Sequence, residues 1–245
     1  MKKNFKIALV TTLSMAMLVG CGSMKKQEDS ATVVSDAKEQ QQIMSTIDSA
    51  TFANIEDFTV EFTASVKVSI ATLNLSGNLV TQDLGKDGAN VQFYAHLDNL
   101  SPQDVVRGSI AGNEMTVKTE NLTVVGIQVV KETSSTKDLE FNIDDATLPE
   151  QPKFISSIGI ELSDLDSIKK SETSSTNSYF LALKKEVIEE QINKAGALNG
   201  DISISDDAVL GFVLSKENEI EGFTLTVNFK FQNFDCTAYI EAVVK

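Results

Sequence analysis

From Phe58 onward the chain alternates between apolar and polar residues. Phe58, Val60, Phe62, Ala64, Val66, Val68 and Ile70 hold the even positions, and Thr59, Glu61, Thr63, Ser65, Lys67 and Ser69 the odd ones. Successive side chains of a strand point to opposite faces. Alternation over this length therefore predicts a half-buried antiparallel strand with one face on a core and one in water. Leu73, Leu75, Gly77 and Leu79 repeat the pattern, and Gly85-Lys86-Asp87-Gly88 reads as a turn. Val91, Phe93, Ala95 and Leu97 make a third strand, with Gln92, Tyr94, His96 and Asp98 on its other face and Pro102 ending it. Arg107 to Thr119 reads as a hairpin about Gly112-Asn113. Leu122 to Val130 is a more uniformly apolar strand, and Leu139, Phe141 and Ile143 mark another. Strands joined by short turns from about residue 57 to 145 predict a meander rather than a parallel sheet.

Helical spacing replaces alternation in two places. Ala37, Gln40, Met44 and Ile47 recur with Ile43 alongside, behind an Asp36/Glu39 pair that resembles a capping box. This predicts a helix over about residues 35–52. Lys185 to Lys194 carries Val187, Ile188 and Ile192 on one side and ends near Gly196. Between them, Pro149 and Pro152 open a segment, Lys153 to Ile160, that reads as a short helix or irregular chain. The Ser/Thr-rich stretch Ser171 to Ser178 reads as a loop, and Tyr179 to Leu183 as a short strand. The helical pieces are expected over one face of the sheet. Strands then return at Ile202 and Ile204 and at Val209 to Leu214. Phe223, Leu225, Val227, Phe229 and Phe231 alternate, Asn233 to Asp235 turns the chain, and Cys236, Ala238, Ile240, Ala242 and Val244 alternate back. Helices set between strand groups predict one α+β domain over residues 35–245.

The first 34 residues have a different plan. Lys2, Lys3 and Lys6 precede an apolar run, Ile7 to Val19, that is interrupted by Thr11, Thr12 and Ser14. The run is too short and too polar to cross a ~30 Å hydrocarbon core comfortably. It closes on Leu18-Val19-Gly20-Cys21, which resembles the bacterial lipoprotein signal. That resemblance implies cleavage after residue 20, lipidation of Cys21 and an extracytoplasmic protein held on the cell membrane by its N-terminal lipid. Residues 22–34 are small, polar and mixed in charge, so residues 21–34 are expected to be a flexible tether.

Charge narrows the partners. The chain has 21 basic and 35 acidic residues; three of the lysines and none of the acids lie in the first 20, which leaves 18 against 35. A mature chain at formally −17 repels nucleic acid and gains nothing from anionic lipid headgroups. Membrane attachment then falls to the acyl chains, at about 0.8 kcal/mol per buried methylene. There are two cysteines; with Cys21 lipidated, Cys236 has no disulfide partner. The composition, with no Trp, one His (His96), one Arg (Arg107) and abundant Lys, Asn and Ile, resembles low-GC Gram-positive usage.

Ile47-Asp48-Ser49-Ala50 leading into Asp57-Phe58-Thr59-Val60, and Lys216-Glu217-Asn218-Glu219 leading into Phe223-Thr224-Leu225-Thr226-Val227, carry a further resemblance. Over about residues 35–245 the layout is similar to the LolA/LppX-like lipoprotein-carrier half-barrels. The resemblance implies a strongly curved antiparallel sheet of about 10–11 strands, a few helices covering its concave face, and an apolar cavity of the kind in which relatives carry lipids or acyl chains. A shortage of aromatic residues departs from that pattern. Small residues on the apolar phase, Ala64, Gly77, Ala95 and Ala238, either leave room for a ligand or accommodate packed helices. Phe58, Phe62, Phe93, Phe229 and Phe231 are core residues first and the candidate pocket lining second.

Catalytic constellations are missing from the sequence. His96 lies on a polar strand phase with no indicated nucleophile, and a solvated histidine accounts for it. Cys236 falls on an apolar phase, as an inert buried thiol does. Asp144-Asp145, Asp164 with Asp166, and Asp206-Asp207 match no EF-hand spacing and read as turn acids rather than Ca²⁺ ligands. No Gly-x-Ser-x-Gly, His-Glu-x-x-His or phosphate loop occurs. The expectation is a non-enzymatic protein without metal or cofactor that binds an apolar or acylated ligand. The alternative is a surface interaction or sensory module with a filled core.

Overall fold

The long alternating segments become the spine of one open antiparallel sheet. The computed structural model describes residues 23–68, 71–98, 103–124, 127–148, 153–194, 202–231 and 234–245. Along them run α1 (Ser23–Ser30), β1 (Thr32–Val33), α2 (Ala37–Ser49), β2 (Thr59–Val68), β3 (Ala71–Gln82), β4 (Asn90–Leu97), β5 (Gln103–Ala111) and β6 (Glu114–Thr119). Next come β7 (Leu122–Val124), β8 (Ile127–Val130), β9 (Thr133–Asp138), α3 (Phe154–Ile158), a 3-10 turn at Leu162–Asp164, β10 (Leu165–Glu172) and β11 (Thr176–Leu183). The chain ends with α4 (Lys185–Lys194), β12 (Ile202–Ile204), β13 (Ala208–Ser215), β14 (Ile220–Phe231) and β15 (Phe234–Val244). Thirteen strands pair in the order β1-β10-β11-β13-β14-β15-β2-β3-β4-β5-β6-β9, with β12 alongside β14.

The fold is an α+β curved-sheet half-barrel that does not close. Its first long strand, β2, pairs with its last, β15, from Val60↔Val244 to Val68↔Cys236. The chain's two halves therefore meet in mid-sheet. Register carries the apolar phase across strands: Ala242, Phe62, Gly77 and Ala95 stand in one row. A one-residue slip in any of these strands would put its apolar set in water.

The helices lie together over one half of the inner face, as expected. Ile43 and Ile47 of α2, Phe154 and Ile155 of α3 and Ile188 of α4 share a core with Ile168, Leu181, Leu210, Phe212 and Val227 of the sheet. Local chemistry places these helices. Asp36 caps α2 by accepting from Glu39 N–H at 2.9 Å. Asp48, near the end of α2, caps the next helix in trans: its Oδ1 accepts from Ile155 N–H (2.9 Å) and Ser156 N–H (3.1 Å). Asp207 Oδ1 accepts from Lys185 N–H at the start of α4.

Five expectations change. Ser171–Ser178 is not a loop: β10 and β11 pair through it to Glu172↔Asn177, and Ser178 donates to Gln27. Leu122–Val130 is a separate hairpin, β7–β8, and not one strand of the main sheet. Leu139, Phe141 and Ile143 form no strand; the ladder along β6 goes to Thr133–Asp138, six exposed polar residues. That strand is set by backbone hydrogen bonds with no burial behind it, so hydrophobic alternation does not mark it. With β10 paired along the full length of β11 and β1 at its edge, the main sheet holds thirteen strands, above the expected 10–11. Residues 23–33, expected within a tether, form α1 and β1, and Val33 pairs with Lys169 of β10. Gly196, Pro149, Pro152 and Asn233, which punctuate the sequence reading, lie outside the described residues.

Candidate functional site

The apolar inner face has two halves built on different principles. Over β10, β11, β13 and β14 it is covered by helices and filled with rings. Phe154 of α3 sits 5.6 Å from Phe52, 5.6 Å from Phe223 and 6.3 Å from Phe212, centroid to centroid. Phe52 in turn stacks on Phe58 at 4.9 Å. These stacked, tilted and edge contacts tie α3 to β13, β14 and the chain that leaves α2.

Over β2 to β6, among the described residues, no helix side chain joins the two cores. One group gathers Ala64, Val66, Leu73, Leu75, Leu97, Val105 and Ala238, with Phe62, Phe229 and Val130 of β8 against it. A smaller one holds Ala89, Val91 and Ile143, with Leu79, Leu84, Ile110 and Phe141 at its margin. The register puts Ile110 and Met115 in line with Val91, and Val117 in line with Phe93. Val60, Leu79, Ile110, Met115 and Val117 are all only half-buried. Beyond them, the inner positions of β9 are Thr133, Ser135 and Lys137, so the apolar surface ends at a polar edge.

The five candidate phenylalanines divide between these regions. Phe58 belongs to the helix-covered ring stack. Phe62 lies over Gly77 and Phe93 over Gly108; a Cβ at either glycine would run into the ring beside it. The room that Gly77 leaves is therefore filled by a neighbouring phenylalanine, neither by a helix nor by open space. Phe229 packs against both cores and sits at their junction. Phe231 ends β14, opposite Phe234 and Ile202. Phe62 and Phe229 thus border one core without meeting in register, since Phe229 lies in line with Cys236 and Val68, six residues along β2 from Phe62; Phe93 lies in the same half, and Phe58 belongs to the other. Cys21 lies outside the described residues.

Two surface depressions are polar. One, of about 320 Å³, is lined by Asp104, Glu120, Asn121 and Glu132; the other, of about 310 Å³, by Ser30, Thr32, Lys170, Ser171 and Glu172. Neither suits an acyl chain, whose burial needs apolar walls. His96 borders the first: its Nδ1 lies 3.1 Å from Asp104 Oδ1, and Asp104 also pairs with Arg107. This is a surface ion cluster without a nucleophile in it. The turn acids serve the backbone: Asp144 accepts from Ala89 N–H (2.9 Å) and Asp164 from Glu161 N–H (2.8 Å). Among the described residues no three potential ligands converge on a metal position. Cys236 is buried, with its Sγ 3.5 Å from the Phe234 carbonyl oxygen.

No family model matches the chain, and no curated protein is significantly similar to it in sequence. Two solved structures align with most of it. LprF from Mycobacterium bovis does so at 11% identity and a TM-score of 0.37, over 86% of this chain and 94% of that one. A DUF1329 family protein from Desulfovibrio piger does so at 10% identity and a TM-score of 0.28, over 84% and 90%. No helix among the described residues is long and apolar enough to cross a membrane.

Proposed function

We propose that this is an extracytoplasmic lipoprotein, cleaved before Cys21 and lipidated there, whose half-barrel binds an apolar or acylated ligand as a carrier or sensor. The ligand would lie on the helix-free part of the inner face, against Phe62, Phe93 and Phe229 and the half-buried row Ile110, Met115 and Val117. One observation carries the reading: the apolar strand phase is covered by helices over β10–β14, whereas on the other side, past the buried Leu75, Val91 and Leu97, it runs out into the half-buried Leu79, Ile110, Met115 and Val117 with only polar β9 beyond. Half-exposed apolar surface in register across several strands gains free energy on being covered, about 25 cal/mol per Å² removed from water. The chemistry asked of the protein is binding alone, with no cofactor and no metal.

Native mass spectrometry of the Cys21→Ser protein, made in a host of its own kind, tests the binding. A stoichiometric lipid or acyl species is expected. A clean protein mass, with no uptake of a fluorescent fatty acid, would sink the carrier reading. Cys21→Ser is also expected to move the protein from the membrane to the soluble fraction; retention on membranes would overturn the anchor. A second reading, a surface interaction module with a filled core, draws support from the rings that occupy Gly77 and Gly108 and from the polar character of the two depressions.

A further inference from the structure

The segment just after Cys21 is docked on the sheet's outer face. Met24 occupies the space over Gly222 that a side chain there would need. Its backbone N–H donates to Glu241 Oε2 at 3.2 Å, and the Tyr239 hydroxyl donates to the same oxygen at 3.2 Å. Lys25 holds Glu28 (3.0 Å) and Asp29 (3.2 Å) and stands 6.0 Å from the Tyr239 ring centre. One turn on, Gln27 Oε1 accepts from the buried Ser178 hydroxyl at 2.6 Å. Met24, Glu28, Tyr239 and Glu241 are all buried. The chain then passes the sheet's edge as β1, beside β10, and reaches the inner face as α2.

We infer that α1 is an orientation clamp that fixes the lipid anchor at one end of the half-barrel and stands that end on a lipid bilayer. The inference rests on the lipidation of Cys21 proposed above. Three residues span at most about 10 Å, so acyl chains on Cys21 enter the bilayer within that reach of Met24. Met24 sits over Gly222, near the start of β14. The Glu217–Glu219 turn therefore faces the membrane, and the Phe234 tip of the same hairpin, nine residues along β14 at ~3.4 Å each, stands roughly 30 Å farther out. A mature chain at formally −17 is repelled by anionic headgroups, so the anchor and not the charge holds this end at the bilayer. Net repulsion with a fixed anchor also keeps the open inner face clear of the bilayer.

The test uses the lipidated protein in vesicles that carry nitroxide-labelled lipid, with a fluorophore at Glu217→Cys or at Asp235→Cys in a Cys236→Ala background. Glu217 is exposed and lies at the anchored end; Asp235 is exposed and lies at the far tip. The Glu217 label is expected to be quenched several-fold more than the Asp235 label. Gly222→Leu, which expels Met24, is expected to equalise them. If Gly222→Leu does not fold, Met24→Ser with Gln27→Ala weakens the dock from the N-terminal side and carries the same expectation. Equal quenching in the parent, or a difference that survives undocking, overturns the clamp. Failure of the parent to float with the vesicles overturns the anchor itself, and is distinguishable because no label is then quenched.

Discussion

Strands β13 and β6 both turn apolar side chains toward the inner face, but their surroundings differ. On β13, Leu210, Phe212 and Leu214 are 7%, 3% and 1% exposed beneath α2 and α3. On β6, Met115 and Val117 are half-buried, and the next strand offers them Ser135 and Lys137. Periodicity is the same in both places. What differs is whether anything covers the face, and that is decided far away in sequence, by Asp36 starting one helix and Asp48 capping another. One half of the sheet is thus an ordinary close-packed interior. The other half is buried along β2 to β4 and becomes half-buried apolar surface only toward β5 and β6.

The contrast breaks most visibly at Phe154, which touches rings from α2's exit, β13 and β14. Phe154→Ala is expected to cost about 3–5 kcal/mol, read from urea unfolding, because a rigid surround cannot collapse into the cavity. A cost under about 1 kcal/mol would show that the covered half is loosely packed. In the other half the sensitive positions are the glycines. Gly77→Val places atoms against the Tyr94 carbonyl and the Phe62 ring and is expected to cost about 1–3 kcal/mol by overpacking. Next in size is Asp48→Ala, which leaves the Ile155 and Ser156 N–H groups without their acceptor; about 1–2 kcal/mol is expected.

Val117 sharpens the comparison from the exposed side. Val117→Ala removes a half-buried side chain and is expected to cost less than about 1 kcal/mol. Val117→Asp is expected to fold with nearly parental stability and yet to lose uptake of a fluorescent fatty acid, since it places a charge where the ligand would lie. Parental uptake by this variant would move the ligand elsewhere or remove it.

Much of this was legible in the residues, and the exceptions have physical causes. Alternation marks β2, β3, β4, β14 and β15 because each buries one face. It misses β9, whose six polar residues bury nothing, and it assigns Leu139–Ile143 to a strand although Ile143 is buried as part of a loop. Thr173–Ser175 is a turn, but the Ser and Thr around it belong to strands whose outer side α1 covers, an arrangement that no local pattern encodes. The docking of α1 was itself illegible: Ser23–Ser30 is polar, and its fit depends on Gly222 and Glu241, about 200 residues away. For the site, the apolar phase of Phe62, Phe93 and Phe229 could be read directly. That glycines in the adjacent strands receive two of these rings requires the register.

The smallest expected effect falls where the N-terminal elements meet the covered half. Lys170 of β10 holds Glu39 of α2 at 2.5 Å, and that hydrogen bond raises the lysine above its usual range. Burial, more than the Glu172 carboxylate, does the same for the Tyr179 hydroxyl on β11. Both groups keep their protons more tightly folded than unfolded. Their contribution to stability is therefore complete below about pH 10 and falls as pH rises through the folded values. Lys170 is partly exposed, so solvent screens its pair and the loss is modest. Urea midpoints at pH 9 and pH 11 should drop less in Glu39→Gln than in the parent, because the variant has already given up the lysine's share. An equal drop would place the alkaline sensitivity in Tyr179 alone. No alkaline drop in either protein would mean that the contact of α2 with β10 and β11 adds nothing measurable to the closed half.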